Sequence, residues 1–142
     1  MDIRLITTDD ALYKQELELR FQILRKPLGH DRRAVRFAFE DESLHVVALA
    51  AGKVVGCVLF APDDNGGGRL FQMAVSDFFQ GQGLGRALVE HLEHALRERG
   101  FVRVEMHARQ SALGFYEQLG YRCVGEPFDE VGLPHRIMEK AL

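Results

Sequence analysis

A glycine-rich run, Gln80-Gly81-Gln82-Gly83-Leu84-Gly85-Arg86, lies between an apolar strand pattern at residues 70–75 and the clearest amphipathic stretch of the chain. Its glycines give the backbone access to positive φ and to close approach. Successive N–H groups can then converge on anionic oxygens, while the helix that follows adds its N-terminal partial charge. The run is a strand–loop–helix unit shaped to cradle a pyrophosphate. A Walker loop is excluded, because Gly85 is followed by Arg86-Ala87, which supplies neither its lysine nor its magnesium-binding hydroxyl. A dinucleotide fingerprint fits poorly, because these glycines lie in mid-chain and residues 76–81 separate them from the strand.

The length of 142 residues predicts one domain, 1–142, large enough for a single core. With 18 basic and 21 acidic residues the net charge is -3, so no global field favours nucleic acid or an anionic membrane. The start, Met1-Asp2-Ile3-Arg4, has no apolar leader and no stretch reaches the length of a membrane span, so a cytoplasmic protein is expected. Cys57 and Cys123 sit in strand-like patterns and read as buried, reduced thiols. The six histidines, at 30, 45, 91, 94, 107 and 135, show no ligand spacing, so no metal is expected. His91 falls between Leu88 and Leu92 on the apolar helix face and reads as structural.

Residues 3–6 read as a first strand, followed by a helix capped by Asp9 or Asp10 and ended by Pro27 and Gly29. Asp31 is placed to cap a second short helix reaching Phe39. Two strands, 44–50 and 53–60, flank Ala51-Gly52 as a tight hairpin, and 62–68 reads as a polar loop. After the strand at 70–75 and the glycine loop, apolar residues from Leu84 to Leu96 recur at three- and four-residue steps, a helix that Gly100 stops. Alternation over 101–108 predicts a strand, and Ala112, Phe115, Tyr116 and Leu119 one face of a helix closed by Gly120. Strands at 122–125 and 135–140 then flank a turn-rich segment, 127–134. This order predicts an α/β sandwich around a mixed sheet.

Two motifs in that order resemble the GNAT superfamily of acyl-CoA-dependent N-acyltransferases. Met73-Ala74-Val75 followed by Gln80-Gly81-Gln82-Gly83-Leu84-Gly85 is similar to the family's pyrophosphate signature, Arg/Gln-x-x-Gly-x-Gly/Ala. The run from Ala112 through Tyr116 to Gly120-Tyr121 is similar to its Ala-x-x-x-Tyr helix ending in Gly-aromatic. The resemblance implies a mixed, mostly antiparallel central sheet flanked by helices. It implies an N-acetyltransferase that moves the acetyl group of acetyl-CoA to a primary amine of a small molecule or peptide by direct attack. Main-chain groups of Met73, Ala74 and Val75 would bond the pantetheine arm, with one N–H polarising the thioester carbonyl. Gln80, Gly81, Gln82, Gly83, Leu84, Gly85 and Arg86 would hold the pyrophosphate, and Tyr116 would stand near the sulfur. No nucleic acid or membrane partner is implied, and a homodimer is left open.

Acyl transfer to an amine needs an N–H donor at the developing oxyanion, an acid at the departing thiolate and a route for the ammonium proton. The family's strand glutamate has no counterpart in Arg69-Leu70-Phe71-Gln72-Met73, which leaves His107 or Glu105 on the next strand as candidate base, or a water ordered by Gln72. Arg109 replaces an asparagine that often contacts the cofactor. Tyr116 shares its stripe with core residues, so a packing tyrosine stands beside the catalytic one. Of the cations between Arg20 and Arg36, Arg25 or Arg32 is the candidate for an acceptor carboxylate or a cofactor phosphate, against a solvated helical face. The alternative function is a non-catalytic, regulatory acyl-CoA-binding module, which the presence of Tyr116 disfavours; a nucleotide-binding enzyme is a third.

Overall fold

The computed structural model describes residues 1–142. Its strands are β1 (Asp2–Ile6), β2 (Leu44–Ala50), β3 (Lys53–Pro62), β4 (Gly67–Val75), β5 (Arg103–Arg109), β6 (Arg122–Glu130) and β7 (Leu133–Ala141). The helices are α1 (Tyr13–Arg20), α2 (Leu84–Glu98) and α3 (Leu113–Gln118). One sheet runs β1-β2-β3-β4-β5-β7-β6, and every neighbouring pair is antiparallel except β4 and β5. The mixed, mostly antiparallel α/β sheet expected from the sequence is what forms.

Strands β2 and β3 are apolar apart from His45 and the leading Lys53, because both sheet faces are covered. Val46, Ala48, Val58 and Phe60 point to a core shared with Leu88, Leu92 and Leu96 of α2. Their neighbours Val47, Leu49, Cys57 and Leu59 point to a second core that includes Tyr13 of α1. On α2, His91 is only half-buried, beside rather than within the buried stripe. Cys57 is buried and Cys123 half-buried, and both are free thiols. No helix is long and apolar enough to cross a membrane.

Four expectations for local structure are corrected. The first helix is α-helical only from Tyr13 to Arg20, then loosens into a π turn at Phe21–Arg25 and a 3₁₀ turn at Lys26–Leu28. Its buried side is polar, Tyr13, Glu16 and Arg20, which is why apolar periodicity defined it poorly. The second helix shrinks to a 3₁₀ turn, Arg32–Ala34, capped by the Asp31 side chain. Beyond it, Arg20 Nη2 donates to the Val35 carbonyl at 2.6 Å and Phe37 N–H donates to Glu40 at 2.8 Å, taking backbone groups that a helix would need. The segment 127–134 is a long β6–β7 hairpin turning at Val131-Gly132, with a register shift between Val124 and Phe128 that accommodates Pro127. The 62–68 loop is likewise shorter than read, since β3 and β4 extend to Pro62 and from Gly67.

Candidate active site

Strands β4 and β5 pair only from Gly67↔Arg103 to Leu70↔Met106 and then part. Past this point β4 stays bonded to β3, while its other edge has no strand partner along Met73, Ala74 and Val75, where the Val75 carbonyl accepts from the Gln80 side chain instead. A bulge opens the gap: Gln72 takes φ +54, and the β3–β4 register shifts between Cys57 and Leu59. The Gln72 carbonyl accepts from Cys57 Sγ at 3.4 Å and its side chain from Arg20 Nε at 3.4 Å.

Arg20 is the centre of a fully buried polar cluster. It bonds Glu16 at 2.9 Å and Glu40 at 2.8 and 2.6 Å, Tyr13 donates to Glu40 at 2.6 Å, and His45 Nδ1 donates to Glu16 at 2.9 Å. Although Glu16, Glu40 and His45 lie within 4.8 Å of one another, these bonds already consume their ligand atoms. The cluster fixes the bulge and the 35–40 segment instead.

Two cavities meet at Met73. The first, about 400 Å³, runs from Met73 and Val75 along the glycine loop to Phe115 and Leu119. Gly83 is the N-cap of α2 with φ +81 and no side-chain cap, so the first-turn N–H groups remain available to an anion. A Cβ at Gly85 would stand 3.2 Å from the Phe115 ring. Gly81 and Arg86 line this cleft; Leu84 does too, although its side chain is buried and offers only main chain. Gln80 also borders it, but its amide is turned inward to the Val75 carbonyl at 2.9 Å and Asp77 at 3.2 Å. Gln82 bonds the Phe78 carbonyl at 3.1 Å, so both glutamines brace the loop. Arg86 pairs with Glu90 at 2.6 Å on the surface.

The second cavity, about 520 Å³, is lined by Met73, Tyr116, His107, Glu130, Arg25, Arg109 and a wall of Phe37, Phe39 and Phe71. Tyr116 is buried with its ring edge-on to Phe115 and Tyr121, yet no protein group bonds its hydroxyl. Burial pushes that phenol up, so it keeps its proton. His107 Nδ1 donates to Glu130 at 2.8 Å, which leaves Nε2 with its lone pair. For Glu130, burial alone would raise the carboxyl, but the His107 hydrogen bond and the charges of His107, Arg69 and His135 outweigh it and hold it below its ordinary value.

Of the residues expected at the site, Glu105 lines neither cavity, and it stands in the paired part of β5 between Arg69 and Glu139. Arg32 is also outside both, pairing with Glu18 at 3.0 Å and stacking on Phe21 at 4.3 Å. The sequence reading missed Glu130 as a site residue, because a hairpin partner is invisible to spacing along the chain. Its only signal was its place in the turn-rich segment 127–134.

A family model for the GNAT acetyltransferase domain matches residues 20–142. The chain belongs to the GNAT acetyltransferases. This family takes its acetyl group from acetyl-CoA. An uncharacterised Bacillus subtilis N-acetyltransferase, YitI, is 28% identical, the match covering 100% of this chain and 97% of that protein. A presumed N-acetyltransferase from Lactobacillus plantarum superposes with a TM-score of 0.89 at 26% identity, covering 100% and 99% of the two chains. An aminoglycoside 6'-N-acetyltransferase solved with coenzyme A shares the GNAT fold, with a TM-score of 0.81 at 20% identity over 99% and 97% of the chains.

Proposed function

We propose that this GNAT protein is an N-acetyltransferase that moves the acetyl group of acetyl-CoA directly to a primary amine held in the larger cavity. The observation that carries the reading is that the two cavities share Met73, at the open edge of β4, with Tyr116 beside it. The glycine cradle suits the pyrophosphate of acetyl-CoA, since Cβ-free Gly81 and Gly83 have nothing within 4 Å and the uncapped α2 terminus faces the same cleft.

In this scheme His107 Nε2 takes the proton of the incoming ammonium, with Glu130 holding the ring in the Nδ1–H tautomer. The free amine nitrogen then bonds to the acetyl carbon. Main-chain N–H of Met73 or its neighbours stabilises the charge that develops on the thioester oxygen. As the carbon–sulfur bond breaks, Tyr116 donates its proton to the sulfur; the second proton shed by the attacking nitrogen, passed through water, restores the Tyr116 hydroxyl and leaves a neutral amide, and the proton held by His107 is released to solvent.

A screen of primary amines that follows free thiol released from acetyl-CoA tests the proposal. Amine-dependent release supports it. Acetyl-CoA binding without release for any amine would favour the regulatory binding module instead.

A further inference from the structure

Charge pairing inside the larger cavity does not close. Its one carboxylate, Glu130, is already shared by His107 at 2.8 Å, His135 at 3.7 Å and Arg69 at 3.9 Å. Arg25 and Arg109 line the same cavity with no carboxylate partner: Arg25 bonds only the Ala34 carbonyl, at 3.3 Å, and no protein group bonds the Arg109 side chain. The other arginines of this region are satisfied. Arg20 is buried among Glu16 and Glu40, while Arg32, Arg33 and Arg36 pair with Glu18, Asp31 and Asp41. Burial, then the charge of Arg109, pulls the Arg25 guanidinium down from its ordinary value, so the two cations repel across a partly dry space.

Another part of the lining is apolar and incomplete. Phe37, Phe39 and Phe71 form a mutual contact set with ring centroids 5.3 to 5.7 Å apart, and Phe39 remains 44% exposed. A folded chain that leaves an aromatic face open beside two unpaired guanidiniums has a surface complementary to an amphipathic anion.

We propose that the acetyl acceptor is a primary amine bearing a carboxylate and an aromatic or bulky apolar body, the class of a free aromatic amino acid. Arg25 and Arg109 hold its carboxylate and the phenylalanine wall holds its body, which leaves the amine to reach Met73 and His107. Arg109 belongs to this acceptor side because it lines the larger cavity and not the glycine-loop cleft. The inference rests on the transferase reading above. Purely cationic amines are disfavoured, because they would add charge to a cavity already positive.

The test compares phenylalanine, phenylalaninamide, phenethylamine, alanine and spermidine as acceptors for the full chain, by thiol release from acetyl-CoA. Phenylalanine should exceed its amide at least ten-fold in kcat/KM, and exceed alanine. Arg25→Ala and Arg109→Ala should each raise the KM for phenylalanine by about ten- to a hundred-fold, the scale of a charge-assisted hydrogen bond, with the KM for acetyl-CoA unchanged. Arg25→Lys should recover part of the loss. Binding of 3-phenylpropionate, a carboxylate without an amine, is measured in parallel by thermal shift on acetyl-CoA-loaded protein, and both alanine variants should lose it. Equal or better turnover of phenylalaninamide, phenethylamine or spermidine would overturn the inference while leaving the transferase reading intact. So would absence of 3-phenylpropionate binding in the unsubstituted protein, its retention in both variants, or an Arg109→Ala defect confined to acetyl-CoA.

Discussion

Tyr116 combines two properties that a purely structural tyrosine does not need: its body is packed, and its hydroxyl is left without a protein partner on a cavity wall. Tyr116→Phe keeps the aromatic packing, so acetyl-CoA affinity should survive while kcat falls by roughly a hundred-fold, the usual scale of general acid catalysis. Steady-state turnover with a titration of acetyl-CoA checks it, and unchanged kcat would return the residue to the core. At His107, the Nδ1 bond to Glu130 leaves Nε2 as the nitrogen that would act as base in the proposed scheme. His107→Gln should abolish the acidic limb of the pH–rate profile. Glu130→Gln should lower kcat and leave acetyl-CoA affinity alone, because it acts on the orientation of the imidazole and not on the cofactor. Residue chemistry of this kind was half legible in the sequence. The motif pointed to Tyr116 and strand alternation to His107, whereas Glu130 reaches His107 from a hairpin 23 residues further along, which no local pattern encodes.

Among the elements, α2 shows how a strong pattern becomes a binding device. Its apolar face is buried against the sheet, so the helix points its N-terminus and the glycine loop at the open edge of β4. Gly83→Asp should fold, since nothing lies within 4 Å of the added Cβ, although its φ of +81 adds strain. It should abolish thermal stabilisation by acetyl-CoA, because a carboxylate then repels phosphate. Full stabilisation in the folded variant would remove the loop from the cofactor site. This element was readable because its apolar residues repeat at helical spacing. The α1 helix was not, because it buries charge. Glu16, Arg20 and Tyr13 look solvent-facing by composition, and only their partners Glu40 and His45, brought in from β2 and the turn before it, make burial tolerable. The same cluster ties down 35–40, which turned an expected helix into the phenylalanine-bearing wall.

For the molecule as a whole, that buried cluster joins the first helix, the pocket wall and the β4 bulge, so its ionisation should register in global stability. At His45, burial acts to lower the imidazole, but the Glu16 hydrogen bond and the charges of Glu16 and Glu40 win and raise it above its ordinary value of 6.5. Its contribution is therefore complete below pH 6.5 and lost as the pH rises through the folded value. For Glu40, burial acts to raise the carboxyl, but Arg20 and Tyr13 hold it below 4.5, so its contribution is complete above pH 4.5 and lost on further acidification. Arg20, Tyr13 and Cys57 complete the groups facing the pair. The cluster's stabilisation should thus peak between pH 4.5 and 6.5. Thermal melts of the protein and of His45→Gln check this, the variant being less stable and losing the decline on the alkaline side. The overall sheet was legible because alternation and glycine punctuation recur along the chain. The parting of β4 from β5, on which the site depends, follows from long-range pairing that stops at Leu70 and Met106. In the proposed scheme acetyl transfer occurs where the two cavities join. The most direct measurement is a crystal structure of the protein with coenzyme A. It should show the pyrophosphate on the first turn of α2 and the sulfur within hydrogen-bond reach of the Tyr116 hydroxyl, beside Met73; a cofactor bound elsewhere, or a sulfur directed away from the larger cavity, would contradict it.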